Sequence, residues 1–422
     1  MQKRHNAFLT KQTNKRRTEL KKIISIVLVL ALMATLFVAF TACTKRENVL
    51  KLYMPGEYID EDIFEEFESW YKEQTGKKVK VELKTFNAVE DIQLAVEGSK
   101  VDYDLLCPSD YMVEYLVKKE LVLPFDTEIV GKVDATAFKA EYVELAKNYD
   151  PELKYAIPYM YGTLGLVYDV SKTGGVINSW DALFGNAYAG RRSVKKSMRD
   201  AYAAACLYNA GATLKNLSGA EQKAAVQAVF EDTRKSTVDA AKATLSDVKR
   251  GGAVWDVDNV KFEMAANDSN VAVALMWSCD AGYVMNDYED DDGKEQKGNR
   301  NLWYVVPEEG GNVYIDNFVI SKYAKNVDAA NWFLKFICTK DIALKNSEYA
   351  GAISIVKEAY DELYDGYVAD EDGMFEGVSA EWKAMFMETM FPSANTLNRC
   401  GMMRDFGDGK DAIVEMWGNI VG

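Results

Sequence analysis

Histidine is almost missing from this sequence of 422 residues, in which His5 is the single occurrence. Catalysis by a histidine base, Ser-His and Cys-His nucleophile pairs, and most zinc sites all require this residue. The chain also lacks a GxSxG elbow, a P-loop, a GxGxxG after a strand and an HExxH helix. These absences leave carboxylates as the one basis for an enzyme mechanism, and they favour a protein that is not an enzyme.

Cysteine and positive charge are scarce as well. Five cysteines follow Cys43, an odd number without a CxxC pair, so no disulfide framework is expected. Asp and Glu number 65 against 50 Lys and Arg, which gives a net charge of −15. A surface of that sign repels phosphate and favours cationic ligands, so we expect no nucleic-acid partner. We also expect no cofactor and no metal.

The first 42 residues have the pattern of a secretory leader. A basic stretch precedes an apolar run over residues 23–40, and small residues lead to Cys43 in a pattern similar to the lipobox of bacterial lipoproteins. We expect residues 1–42 to be removed as a signal peptide, Cys43 to carry the lipid, and residues 43–48 to form a tether. An uncleaved signal anchor is the alternative, because 18 apolar residues can just span a bilayer. In both cases the mature chain lies outside the cytoplasm, and removal of residues 1–42 leaves a net charge of −22.

Strand and helix patterns alternate after the leader. Residues 49–53 and 79–83 read as strands around an amphipathic helix over 60–74 that ends at Gly76, and residues 103–123 repeat the alternation. Such βαβ units predict an α/β architecture with parallel strands and helices on both sheet faces. The length of the chain favours two lobes.

Later segments extend this pattern. Residues 153–168 read as two extended segments separated by Gly162, a break that suits a crossing between lobes. A capping box at Ser218–Glu221 predicts a helix start. Further strands are expected at 271–277, 302–306 and 313–320, and helices dominate from Val327 onward.

Aromatic residues are plentiful, with 24 Tyr, 18 Phe and 8 Trp. Rings together with a few acids in a cleft form a receptor for organic cations, because carboxylates neutralise ammonium groups and ring faces attract them.

Six short blocks occur in a fixed order along the chain. They are residues 52–76, YDLLCPSDY at 103–111, IPYMYG at 157–162, SWDAL at 179–183, MW at 276–277 and PEEGGNVYIDN at 307–317. Together they resemble the spermidine/putrescine-binding proteins of bacterial ABC transporters over nearly all of residues 49–350. The resemblance implies an α/β, two-lobed periplasmic-binding-protein-like fold of type II, with the ligand cleft between the lobes.

The resemblance also implies where the chain passes between lobes, namely near Gly162, Asp316 and Tyr360. Residues 49–162 and 316–360 would then form the first lobe. Residues 163–315 and 361–422 would form the second lobe.

Carried over position by position, the resemblance implies a ligand pocket. Tyr58 and Tyr111 would be ring walls, Ser109 a hydroxyl facing the ligand, and Asp200 the acceptor of one ammonium end. Trp277 and Tyr314 would sandwich the methylene chain, and Asp316 would anchor the terminal amine. Ordinary packing is the alternative for the two tyrosines, a helix N-cap for Ser109, and a solvated helix acid for Asp200. Glu57, Ser197 and Arg404 are further candidates.

Four positions depart from the family pattern. Pro55 stands where the family often has Trp, Ser197 where it often has an acid, Ala352 at a ring-bearing position, and Arg404 near a Gln. Because Ser197 replaces an acid and Arg404 adds a cation, we predict a preference for putrescine over the more highly charged spermidine.

The predicted protein is therefore a monomeric, lipid-anchored receptor in the periplasm or on the outer face of the cell membrane. It would bind a polyamine and deliver it to an ABC transporter permease. Two alternatives remain: the same fold with another small solute, such as an amino-acid derivative, sugar or vitamin, and an exported hydrolase built on two carboxylates.

Overall fold

Segments rich in Val, Leu, Ile and Tyr build one large mixed sheet in the computed structural model of the protein, and residues 288–289 and 295–296 form a separate two-stranded sheet. The structure describes residues 46–256, 259–266, 270–289, 294–370 and 373–421. The strands are β1 Val49–Pro55, β2 Lys80–Phe86, β3 Leu105–Leu106, β4 Val122–Leu123, β5 Ala156–Asp169, β6 Arg192–Lys195, β7 Val254–Asp256, β8 Val273–Trp277, β9 Tyr288–Glu289, β10 Glu295–Gln296, β11 Leu302–Val305, β12 Gly311–Ser321, β13 Ile353–Ser354 and β14 Cys400–Gly401.

Helices cover much of the remaining chain. They are α1 Ile63–Thr75, α2 Glu90–Gln93, α3 Asp110–Lys118, α4 Thr127–Val130, α5 Ala140–Ala146, α6 Val170–Thr173, α7 Asp181–Phe184, α8 Met198–Leu214, α9 Gly219–Glu231, α10 Lys235–Arg250, α11 Asn259–Ala265, α12 Ser278–Met285, α13 Val327–Ile337, α14 Lys340–Ala350, α15 Lys357–Ala369, α16 Ala380–Met390, α17 Ala394–Leu397 and α18 Lys410–Val421. Short turns of 3-10 helix lie at Arg46–Asn48 and Gly407–Gly409, and a π-helical turn lies at Leu94–Gly98.

Residues Leu50–Gly422 form one compact unit. The predicted leader at 1–42, the lipidation site Cys43 and the first part of the tether lie outside the described residues. Within the described ranges, no helix is both long enough and apolar enough to cross a membrane. The five cysteines from Cys107 to Cys400 are free thiols.

The first βαβ segment forms where the residue pattern predicts it. Helix α1 buries Ile63, Phe64, Phe67 and Tyr71, which recur on one face, and it ends at Gly76 with a left-handed φ of 73°. Strand β1 lies between β2 and β3 in the sheet and runs parallel to β3. The sequence therefore predicted this part of the α/β architecture correctly.

The sheet has the strand order β2-β1-β3-β12-β5-β8-β6-β7 and is mixed rather than wholly parallel. Strands β5 and β12 run antiparallel to each other at its centre. β3 and β4 pair with the C-terminal end of β12, and β13 pairs with β5 at Tyr161 and Met160. We call this part, with β1 and β2, the first lobe.

The opposite ends of the two central strands have other partners. β8 and β11 pair with residues 164–169 of β5, and β14 pairs with Gly311 and Asn312 of β12. β6 and β7 continue the sheet beyond β8. We call this part the second lobe. The exact limits predicted for the lobes, 49–162, 163–315, 316–360 and 361–422, stay predictions.

Gly162 does not break the strand, contrary to the expectation of two segments. Strand β5 runs without interruption over fourteen residues, all of them buried. Gly162 pairs with Tyr314 of β12, and a Cβ atom there would lie 2.3 Å from the Tyr314 hydroxyl oxygen. The glycine is thus needed for the close approach of a ring and not for a bend in the backbone.

The predicted capping box is also incomplete, because the Ser218 side chain makes no capping bond although α9 begins there.

Candidate ligand-binding site

Tyr314 and Asp316 lie on one face of β12 where the two lobes meet. In this strand residues 313, 315 and 317 are buried, whereas Tyr314 and Asp316 are half-buried. Because side chains alternate along a strand, these two residues point to the same side. A register shift between Asp316 and Asn317 marks a bulge at this point, a feature that re-aims side chains.

Two hydroxyl groups hold the Asp316 carboxylate. The Tyr58 hydroxyl donates a hydrogen bond of 2.8 Å to Oδ2, and the Ser109 hydroxyl donates one of 2.5 Å to Oδ1. Ser109 is the N-cap residue of α3, but its side chain bonds to no backbone N–H of that helix. The Ser109 hydroxyl is therefore directed to Asp316 and does not serve as a plain helix cap. We call Tyr58, Ser109 and Asp316 the first-lobe cluster.

The charge of Asp316 is not neutralised by these partners. Burial raises the pKa of Asp316, the two hydroxyl bonds lower it, and the negative charge of Asp200 raises it again. Among the described residues no lysine or arginine forms an ion pair with this carboxylate. Burial also raises the pKa of the neighbouring Asp110, to about 8. The first-lobe cluster thus offers one unneutralised carboxylate.

A second group of side chains lies in the second lobe. Trp277 ends β8, and the Lys195 ammonium at the end of β6 lies 3.5 Å from the centre of a Trp277 ring. Asp280 in the first turn of α12 accepts from Lys261 at 3.1 Å and from Lys195 at 3.5 Å. Burial would raise the pKa of Asp280, but the two lysines outweigh it and lower the pKa.

Asp200 completes this second-lobe cluster of Lys195, Asp200, Lys261, Trp277 and Asp280. It lies in the first turn of α8, is 6% exposed, and has one carboxylate oxygen without a hydrogen-bond partner. Burial raises its pKa, which Lys195, Ser197 and Trp277 lower in part. Asp200 is therefore not a solvated helix acid. Ser197 is the N-cap of α8, and its hydroxyl accepts from the Asp200 backbone N–H.

Tyr314 lies between the two clusters. Its ring centre is 6.2 Å from that of Trp277 at an interplanar angle of 59°, and its hydroxyl is 3.4 Å from the Cys279 sulfur. A methylene chain between two rings needs them roughly parallel and about 7–8 Å apart, since each contact takes about 3.5–4 Å. In this structure the two rings contact each other, so a sandwich around a chain stays a prediction.

Comparison with known proteins decides the family. Residues 63–375 match the family of bacterial extracellular solute-binding proteins. The chain belongs to this family. Its members are receptors and not enzymes, so the prediction that the chain is not an enzyme is confirmed.

Similarity to individual proteins extends beyond that segment. The chain is 23% identical over 381 residues to the putrescine-binding periplasmic protein PotF of Escherichia coli, with 88% of this chain and 94% of that protein covered. It is 26% identical over 315 residues to a putrescine/cadaverine-binding protein of Pseudomonas aeruginosa, with 73% and 79% covered. The predicted resemblance to the spermidine/putrescine-binding proteins is confirmed.

Solved structures show the same fold. The substrate-binding protein PotD of a Streptococcus pneumoniae spermidine/putrescine ABC transporter has a TM-score of 0.62 at 24% identity, with 88% of this chain and 98% of that chain covered. The Tp0655 lipoprotein of Treponema pallidum has a TM-score of 0.65 at 19% identity, with 88% and 99% covered. The predicted two-lobed periplasmic-binding-protein-like fold is confirmed.

Tyr111 and Arg404 of this solute-binding protein lie in contacts between the lobes. The Arg199 guanidinium of α8 covers the Tyr111 ring at 3.5 Å and bonds to Glu90 at 3.0 Å. Arg404 forms a two-point ion pair with Glu114 of α3, with distances of 2.9 and 2.7 Å. The ligand wall predicted for Tyr111 stays a prediction, and the pairing of Arg404 removes the reason to expect it to repel a ligand ammonium.

The remaining predicted or noted positions lie outside both clusters. Glu57 is exposed in the turn after β1, with a left-handed φ of 54°, Pro55 ends β1, and Ala352 is buried before β13. Two surface cavities, one beside α4 and Cys338 and one along α15, contain none of the predicted site residues. Among the described residues, no group of three His, Cys, Asp or Glu side chains could hold a metal ion.

Sequence reasoning missed Asp280, Lys195 and Lys261. A signal for Asp280 was present, because an acid three residues after Trp277 falls in the first turn of the helix that follows strand β8. Lys195 carried a weaker signal, as a cation at the end of a strand whose four residues are all buried.

Proposed function

We propose that this solute-binding protein is the extracytoplasmic receptor of an ABC importer, that it binds a small organic amine of the polyamine class between its lobes, and that it delivers this amine to the permease. The observation that carries the proposal is the Asp316 carboxylate, which Tyr58 and Ser109 orient and which no lysine or arginine in the described part of the chain neutralises. A half-buried charge of this kind is costly unless a cation pairs with it, and a ligand ammonium supplies that pairing.

Two further observations support an amine ligand. The unpartnered oxygen of Asp200 is a second buried acceptor near Asp316, because the charge of Asp200 contributes to the raised pKa of Asp316. The two curated relatives named above, at 23% and 26% identity, are described as a putrescine-binding and a putrescine/cadaverine-binding protein. Within this class, the presence of Ser197 in place of an acid favours the less charged putrescine over spermidine.

A ligand panel tests the proposal. Putrescine and spermidine should each raise the melting temperature, whereas the neutral 1,4-butanediol, with the same carbon chain as putrescine, should not. The reason is mass action, since a ligand at about 100 times its Kd stabilises the native state by about 2.7 kcal/mol. If no amine raises the melting temperature, or if butanediol does so equally, the proposal is wrong.

We also propose that the protein is a monomer held at the membrane through a lipid on Cys43. The support is the apolar run and the small residues before Cys43. Cys43→Ala should abolish labelling of the protein by a radioactive fatty acid in growing cells. Unchanged labelling of the variant contradicts the anchor, and a dimer mass in light scattering contradicts the monomer.

A further inference from the structure

One cation of the protein itself already occupies the site. The Lys195 side chain is buried, and its ammonium lies 3.5 Å from the centre of a Trp277 ring and 3.5 Å from Asp280 Oδ2. A cation above an aromatic face and beside a carboxylate is the arrangement that a ligand ammonium adopts in cation–π recognition. A diamine needs a binding place for each of its two ends. Lys195, a residue of the protein itself, occupies one of these places, the Trp277 ring face beside Asp280.

The lysines of the second-lobe cluster are already paired with a carboxylate of that cluster, because Lys195 and Lys261 both lie against Asp280. Asp316, by contrast, accepts from two hydroxyls and has no lysine or arginine ion pair among the described residues. We therefore place one ligand ammonium at Asp316.

We propose that Lys195 is a specificity-determining residue, whose ammonium fills the place of a second ligand ammonium on Trp277, so that the site prefers an amine with a single cationic end to a diamine. This inference rests on the proposed function, because it concerns which amine the same site selects.

Repulsion gives the preference its physical basis. One ligand ammonium pairs with Asp316, and a ligand of putrescine's length then extends its other end toward Trp277. A second ammonium there finds the Trp277 face and the side of Asp280 already occupied by Lys195, and at such close range it is disfavoured by the like charge. A neutral hydroxyl at the same end meets no such repulsion and can hydrogen-bond to Asp200, whose free oxygen accepts.

The test is a pair of ligands of equal length. Calorimetry gives the ratio of the Kd for putrescine to the Kd for 4-amino-1-butanol, which replaces one ammonium by a hydroxyl. In the unmodified protein the ratio should be greater than one. Lys195→Gln keeps a polar end beside Asp280 but removes the charge, and it should lower the ratio by about tenfold or more. Lys196→Gln, a change at the exposed neighbouring residue, should leave the ratio unchanged.

The outcomes separate this inference from the proposed function. If putrescine binds the unmodified protein tightly and Lys195→Gln leaves the ratio unchanged, the role of Lys195 is wrong while the function as an amine receptor stands. If neither amine binds, both are wrong. If Lys195→Gln does not fold, Lys195→Met serves as the second variant, and a ratio well below one in the unmodified protein overturns the inference without any variant.

Discussion

Asp316 in the first lobe and Asp280 in the second lobe are both half-buried carboxylates of one site, but different groups satisfy them. Asp316 accepts from two hydroxyls, and burial raises its pKa. Asp280 accepts from two lysines, which lower its pKa against the effect of burial. Hydroxyl groups satisfy the hydrogen-bonding capacity of a carboxylate but leave its charge, whereas lysines neutralise the charge as well. The first-lobe carboxylate is therefore the one that recruits a cation from outside.

A second comparison concerns two cations of the protein. The family resemblance predicted that Arg404 opposes a ligand ammonium, yet its guanidinium is paired with Glu114. Lys195, which no sequence block marked, lies on the ring of Trp277. The effect of a charged side chain on a ligand depends on its position in the fold and on its partners. The presence of the residue in the sequence does not by itself determine that effect.

The largest expected effect is on ligand affinity in Asp316→Asn. Loss of the charge should weaken amine binding by about 30- to 1000-fold, or about 2–4 kcal/mol, because a charge-assisted contact in a closed cleft is lost. Asp280→Asn should cost clearly less, since the lysines already neutralise that carboxylate. Calorimetry on both variants measures the difference, and an equal loss in the two would break the comparison between the lobes.

Stability of the unliganded Asp316→Asn variant is the control for folding. The pKa of Asp316 in the folded protein is raised above its usual 3.8. The unmodified protein therefore loses stability as the pH rises from 3.8 to the pKa of the folded state, because the folded state holds the proton more tightly than the unfolded chain. The amide does not ionise and avoids this loss. At pH 7 the melting temperature of the unliganded variant should therefore be at least that of the unmodified protein.

The pH dependence of binding should be the next largest effect. Binding of an ammonium needs the ionised form of Asp316, and the raised pKa means that protonation begins above the usual 3.8. Amine affinity should fall as the pH is lowered, by up to about tenfold for each pH unit below that pKa. Kd values from pH 8 to below pH 3.8, measured where the protein stays folded, test this, and an affinity that is constant over the whole range would show that the charge on Asp316 does not contribute.

A smaller effect is expected from Glu114→Gln. Glu114 in the first lobe forms an ion pair with Arg404. Arg404 follows strand β14, Cys400–Gly401, which pairs with the second-lobe end of β12. The ion pair therefore connects the two lobes and favours their closed arrangement. Its loss should weaken amine binding by about three- to tenfold without removing any contact to the amine. Lys118→Gln is the matched control, because it removes the other, exposed partner of Glu114. Equal effects of the two changes would argue against a role of the pair in closure.

Local patterns predicted much of the site on the first-lobe side. Asp316 is an acid at a half-buried position of an apolar strand, and such a residue is costly unless it has a partner. The structure supplies the partners as Tyr58 and Ser109, both of which the sequence blocks also indicated. The second-lobe side was predicted less completely, because Lys195, Lys261 and Asp280 stand in three separate segments and none of them belongs to a block.

The sequence by itself determined the alternation of strands and helices, the family, and Asp316 as a candidate anchor, because periodic burial and short motifs are properties of neighbouring residues. The tertiary structure alone decided that Gly162 accommodates the ring of Tyr314, that Lys195 meets an Asp280 85 residues away, and that Arg404 meets a Glu114 290 residues away. The physical reason is the order of strands in the sheet. Pairing across the sheet brings together residues that are far apart in the chain, and their charges acquire a functional meaning only through that proximity.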